Sequence, residues 1–299
     1  MLRCLTHSFY SFFSAHQQQA GYARFALCGL LLLALMPVRH AVAAGQQNQA
    51  HIATTLPVTD LLTRALLQGT SVQTDYLPAK RYPVKRIGYW LQNKLPEKAS
   101  ELPQYTAVIN VASVWPELRV YPTLRHHNIH IIPVDAAIQL KPEGARVSRQ
   151  QSAESGLDYF WLSPANLKVM NRIIAEDLAR LWPEHQPQIT RNQQQNDQAI
   201  SQFALSLDDM LWQQQWDGLC TTQPELNPLL YALSLPVLDA EENDNGMRCL
   251  WLSDKPGQSD AAYPKTHWQL NSLNKVYSGS FEHWLKANLD ALKSNDSTL

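Results

Sequence analysis

From residue 51 to the C-terminus, short β-type runs alternate with helix-type runs, and that alternation leaves few architectures open. Strands that pair in parallel need crossovers, usually helical, so the pattern predicts parallel sheets covered by helices. Strands are expected at 51–55, 71–77, 107–112 and 129–134, and helices at 57–68, 84–93 and 117–127. The run Ala-Val-Ile-Asn-Val-Ala at 107–112 is apolar at nearly every position and reads as buried on both faces. After a loop at 136–158, Ser163 and Pro164 supply an N-cap and a first-turn proline. Leu167, Met170, Ile173, Ile174, Leu178 and Leu181 then hold one apolar face as far as Trp182-Pro183.

A long helix is expected at 188–216, where Ile189, Ile200, Phe203, Leu207 and Leu211 form an apolar stripe and the Gln/Asn run at 192–198 forms an exposed polar turn. Beyond it the rhythm returns, with strands at 219–222, 236–238, 248–252 and 267–270 and helices at 225–233 and 281–293. The acidic segment 239–245 and the loop 255–264 read as surface connections. The fold class is therefore α/β: two lobes of parallel sheet covered by helices, at 45–187 and 217–299, joined by a long rigid helix at 188–216.

Residues 1–44 carry a different signal. A basic start (Arg3, Arg24), an apolar run at 25–38 and then Ala41-Val42-Ala43-Ala44 match the three regions of a secretory signal peptide, with cleavage expected after Ala43 or Ala44. The run is too short for a permanent membrane span, although an uncleaved anchor stays open as the alternative. The surroundings of Cys28 do not form a lipoprotein box. The expectation is a soluble periplasmic or secreted monomer of about 255 residues after processing. Cys220 and Cys249 would remain, and in an oxidising compartment they suggest one structural disulfide; as reduced thiolates they could instead serve as ligands. The formal net charge is −1 with no basic stripe, which excludes nucleic acid as a partner. No GxSxG, HExxH, P-loop or dinucleotide fingerprint occurs, so neither enzyme chemistry nor an organic cofactor is expected.

Several segments together resemble the periplasmic substrate-binding proteins of zinc and manganese ABC transporters. Ile52-Ala53-Thr54-Thr55 followed by Asp60-Leu61-Leu62 looks like the family's first strand and helix. Tyr159-Phe160-Trp161-Leu162-Ser163-Pro164 is similar to its His-x-Trp-Leu-Asp-Pro motif, and Ala175-Glu176-Asp177-Leu178 to the helix that follows. Asn192 sits where the linking helix usually carries an asparagine, and 284–289 resembles the last helix. The resemblance implies the metal-type periplasmic binding fold, a ligand held between the lobes, and delivery to an ABC permease and its ATPase. It implies a transition metal, zinc or manganese, as transported ligand.

The same comparison shows where this chain departs. The family's histidine after the second strand is replaced by Pro78-Ala79-Lys80-Arg81-Tyr82-Pro83 and the motif histidine by Tyr159, while the histidine of the second lobe falls near Gln223 in Thr221-Thr222-Gln223-Pro224-Glu225; the late acidic ligand has no clear counterpart, although Asp254 lies in a plausible loop. A zinc site needs three or four N, S or O ligands converging at about 2 Å, and a neutral amide or protonated phenol substitutes poorly for imidazole. Lys80, Arg81, Lys85 and Arg86 either place positive charge at the cleft mouth, suiting an anionic or chelated ligand, or are solvated helix-end charges. Ser113, Trp115 and Asp135 lie at strand ends where α/β sheets bind ligands, although Asp135 equally suits a loop cap. Tyr159 and Trp161 read either as cleft or as core aromatics, and His126, His127 and His130 need not converge on a metal. The function expected is the solute-binding component of an ABC importer for a transition metal ion or metal complex. The alternative is a non-transport periplasmic metal-handling or interaction protein on the same fold.

Overall fold

The computed structural model describes residues 49–149, 158–239, 247–255 and 267–293. Residues 1–44, read above as a signal peptide, most of the acidic segment 239–245 and most of the loop 255–264 lie outside the described residues.

Two parallel sheets carry the structure. The first contains β1 (His51–Thr54), β2 (Gln73–Tyr76), β3 (Ala107–Asn110) and β4 (Ile132–Asp135) in the order β2-β1-β3-β4. In register, Thr54 lies beside both Tyr76 and Ile109, and Asn110 beside Asp135, so all four strands end along one edge. Every residue of β3 is buried, as the apolar run predicts for a strand covered on both faces. The crossovers are α1 (Pro57–Leu66), then α2 (Ile87–Asn93) with the single turn α3 (Leu95–Lys98), and α4 (Tyr121–His127). Helix α1 stops two residues before the expected end, and Gly69, at φ 80°, turns the chain toward β2.

The second sheet has the order β5-β6-β7, from β5 (Gly218–Cys220), β6 (Cys249–Ser253) and β7 (His267–Gln269), again all parallel. The run at 236–238 is not a strand. It makes one parallel bridge, Val237 to Leu219, because it is three residues long and begins on Pro236, which has no N–H to give. The helix expected at 225–233 is a 3-10 turn followed by the single turn α7 (Asn227–Leu230). Cys220 and Cys249 form a disulfide joining β5 to β6, with Cα atoms 6.0 Å apart.

Helices α5 (Pro164–Leu181), α6 (Gln186–Gln213) and α8 (Phe281–Lys293) complete the layers, with α6 packed against α1, α5 and α8. Ser163 occupies the N-cap of α5, but its side chain makes no capping bond and Pro164 starts the helix without it. Helix α6 ends earlier than expected, at Gln213, because Gln215 adopts φ 51°. One hydrophobic core runs through both sheets, from Ile52 and Val108 through Trp161, Leu207 and Leu250 to Trp268 and Trp284.

The Gln/Asn run of α6 departs most from expectation: it is not simply an exposed polar turn, because Asn192 and Asn196 are buried. Asn192 Nδ2 donates to the oxygens of Leu66 (2.8 Å) and Gln68 (2.9 Å), which α1 leaves without helical partners at its C-terminus. Asn196 donates to Asn171 on α5, and Asn171 donates in turn to the oxygen of Gln193. The amides thus fasten α6 to both neighbouring helices.

Asn192→Ala is expected to lower unfolding free energy by about 1–3 kcal/mol, since it strands the buried Leu66 carbonyl and removes the bond to the Gln68 oxygen. A shifted denaturant midpoint with an unchanged slope checks this. Cys220→Ser, or a reductant added to the native chain, is expected to cost roughly 3 kcal/mol, the loss associated with opening a loop of this length.

Candidate functional site

Parallel sheets place their ligands beyond the carboxyl ends of their strands. In the second sheet the residues that follow those ends are Gln223 after β5, Asp254 after β6 and Ser272 after β7, and they close on one another. Gln223 Nε2 donates to Asp254 Oδ1 at 2.7 Å, and the Asp254 N–H returns a bond to Gln223 Oε1 at 2.9 Å. Ser272 Oγ donates to the other carboxylate oxygen at 2.6 Å. Leu273, buried and at φ 59°, reverses the chain between Ser272 and Asn274. Such a conformation in a non-glycine residue costs on the order of 1 kcal/mol and persists only where its surroundings hold it.

The first half meets this loop directly. Tyr159 Oη donates to Asn274 Oδ1 at 3.0 Å, and the Val84 N–H reaches both Asn274 oxygens, at 2.9 and 3.2 Å. Trp161, stacked on Tyr159 with ring centres 4.9 Å apart, donates from Nε1 to the Ser272 oxygen. The Tyr159 N–H donates to the Glu225 backbone oxygen, while Glu225 Oε1 is paired with Lys85 Nζ at 2.9 Å. Nearby, Arg64 is held by Asp60 at 2.9 Å and donates to the Tyr277 and Gly279 oxygens. Burial raises the Asp60 carboxyl above its ordinary pKa, an effect the Arg64 guanidinium opposes.

A cleft of about 600 Å3 opens beside this network, with Pro83, Lys85, Glu225, Asp254, Lys255 and Lys275 among its walls. Burial pushes the Tyr159 phenol well above its usual pKa, and the carboxylates of Asp254 and Glu225 push it further. The phenol therefore stays protonated at physiological pH. Three of the candidate ligand residues are thus spent internally: Tyr159 on Asn274, Gln223 on Asp254, and Glu225 on Lys85. This donor set does not fit a bare transition metal. Among the described residues no group of three or more His, Cys, Asp and Glu is placed to hold a metal ion.

The remaining sequence candidates fall elsewhere. Arg81 is exposed, with its guanidinium over the Tyr82 ring at 5.6 Å, and Tyr82 packs its half-buried ring against the core. Neither lines the cleft. Asp135 is a loop cap: its carboxylate accepts from the N–H and Oγ of Ser113 and from the N–H of Ala137, all within 2.9 Å, so this pair is closed on itself. Trp115 is 1% exposed and meets Phe160 and Trp161 edge-on, which makes it a core residue. His126 and His127 end α4 and are exposed. Sequence reading missed Ser272, Asn274, Lys255 and Lys275; the polar run Asn271-Ser272 immediately after a strand was the available signal.

Comparison with protein families and with curated proteins finds no match. Solved structures do match. The metal-dependent lipoprotein YcdH from Bacillus subtilis has a TM-score of 0.60 at 14% identity, over 82% of this chain and 99% of its own. The SBP FpvC from Pseudomonas aeruginosa, in complex with Mn2+, has a TM-score of 0.58 at 12% identity, over 84% of this chain and 100% of its own. The Zn(II)-bound ZnuA-like domain of AdcA from Streptococcus pneumoniae has 0.55 at 14%, over 83% and 98%. The chain therefore has the metal-type periplasmic binding protein fold that the sequence resemblance implies.

Because the fold keeps the Tyr159 proton at a pH where the unfolded chain releases it, Tyr159 stabilises the protein below pH ~10 and that contribution is lost as pH rises further. Tyr76 and Tyr105, raised chiefly by burial, act in the same direction. Above pH ~10, Tyr159→Phe is expected to lose stability less steeply than the native chain, by up to about 1.4 kcal/mol per pH unit, in denaturant titrations run across that range.

Proposed function

We propose that this chain is the exported solute-binding component of an ABC importer. In this reading the cleft between the sheets receives its solute as an anionic or chelated species, a complexed transition metal and not a bare zinc or manganese ion. Three lines support it. The fold is shared with a metal-dependent lipoprotein, a binding protein solved with Mn2+ and a Zn(II)-bound domain. The N-terminal 44 residues read as an export signal. The observation that carries the form of the solute is the Lys85–Glu225 ion pair at 2.9 Å beside the reciprocal Gln223–Asp254 bonds. It puts an ammonium group and an already satisfied carboxylate where a bare cation would need free donors.

Binding, delivery to a membrane permease and release would be the whole of its work. The binding partners are then the solute, the permease and its ATPase.

Elemental mass spectrometry on tag-free protein purified from the periplasm, followed by titration of chelator-stripped protein with zinc and manganese, tests this reading. The expected result is substoichiometric metal and no sub-micromolar rebinding of either ion. Near-stoichiometric metal with tight rebinding would overturn it and establish a bare-ion site built from unusual ligands.

A further inference from the structure

The cleft's own lining says more about the solute. Among the described residues its walls carry three ammonium groups, Lys85, Lys255 and Lys275, against two carboxylates, Glu225 and Asp254. The carboxylates are turned to internal partners: Glu225 to Lys85, and Asp254 to Gln223 and Ser272. Lys255 and Lys275 differ from Lys85. Both are exposed, they come from the segments that follow β6 and β7, and neither has an ion-pair partner among the described residues. We infer that Lys255 and Lys275 form an anion subsite for a small organic polycarboxylate, bound free or as its metal chelate. This deepens, and rests on, the reading of the cleft as a solute site.

Three features select that class. The ammonium groups stand on separate segments around a cleft of about 600 Å3, a size that fits a molecule bearing several spaced charges. Among the described residues no arginine lines the cleft, so the planar two-pronged recognition that guanidinium gives to a single carboxylate or phosphate is missing there, and lysines act as point charges. Pro83, Leu270 and Val276 add apolar wall, which suits a carbon skeleton and gives nothing to an inorganic ion. Gln269 and Asn271 also line the cleft, and their amide N–H groups suit hydroxyl or carboxyl groups on the same skeleton.

The test is isothermal titration of the exported chain with citrate, tricarballylate, ferric citrate and zinc–EDTA, with inorganic phosphate, zinc chloride and manganese chloride run alongside. At least one polycarboxylate or chelate is expected to bind, with affinity falling as salt is raised. The double variant Lys255→Gln/Lys275→Gln is expected to weaken that binding by about tenfold or more, through lost charge-assisted hydrogen bonds. Arg81→Gln, which removes a charge outside the cleft, should stay within about twofold. Citrate binding as well as its ferric complex would assign the free acid, and preference for the complex the chelate. The subsite is overturned if no polycarboxylate or chelate binds, if the double variant binds as the native chain does, or if inorganic phosphate binds equally well. Tight binding of the bare chlorides would instead sink the complexed-solute reading itself, so the two failures are distinguishable.

Discussion

Asn274 accepts hydrogen bonds from two separate parts of the first half, the Val84 N–H and the Tyr159 hydroxyl, while belonging to the loop that leaves β7 in the second. The left-handed turn at Leu273 is tolerable because Asn274 on one side and Ser272 on the other are both held. Ser272 in turn fixes Asp254, Asp254 fixes Gln223, and the Trp161 indole locks onto the Ser272 oxygen. Each bond on its own contributes roughly 1 kcal/mol net, but breaking one leaves a buried polar group without its partner, and that penalty is larger. The strand-end loops of the second sheet are therefore ordered as a set, by contacts with the first sheet.

This ordering decides what chemistry the cleft offers. A metal site needs donors whose lone pairs point at a common empty point. Here the carboxylate of Asp254 already receives two hydrogen bonds on its two oxygens, and the amide of Gln223 spends both its donor and its acceptor on the same residue. Glu225, largely buried, is neutralised by Lys85. Removing Lys85 would leave that carboxylate buried and unpaired, a change that is strongly destabilising in general. Recruiting these groups to a cation would mean dismantling bonds that order the strand-end loops of the second sheet and, at Glu225, tie them to the first half. Positive charge at the opening, on Lys255 and Lys275, requires no such rearrangement to be used.

The sequence carried the architecture because alternation and apolar periodicity are local. Strands β1, β3 and β6, helix α5 and helix α8 fall within a few residues of where the patterns put them. Cys220 and Cys249 likewise pair with each other, as the sequence suggested. The site was legible only in outline. Lys85 stood out as a charge near the cleft, but its partner Glu225 is 140 residues away, and no local pattern specifies that distance. Asp135 and Ser113 sit at strand ends as ligand residues would, yet whether such a carboxylate faces a cleft or caps its own loop is settled by side-chain rotamers and by the position of the next backbone N–H. The buried asparagines of α6 were hidden for a related reason. In composition Asn192 and Asn196 are indistinguishable from the exposed amides beside them, and only the packing of α1 and α5 against that face separates the two sets.

The continuity of the core limits how the cleft can respond to a solute. Buried residues of the two sheets belong to one apolar cluster, and α6 packs along α1, α5 and α8 at once. Swinging one sheet away from the other about α6 would expose apolar surface at about 25 cal/mol per Å2 and also break the bonds to Asn274 and Ser272. Even a few hundred Å2 of exposure would match the whole net stability of an ordinary domain. A solute with the differential binding energy to drive such an opening would have to be held very tightly in the open form. Movement of the cleft's exposed side chains costs far less, since Lys255 and Lys275 are not tied to the core. On the proposed reading, recognition falls to charged side chains that rearrange on a fixed scaffold, with the hydrogen-bonded floor of Gln223, Asp254, Ser272 and Asn274 left intact.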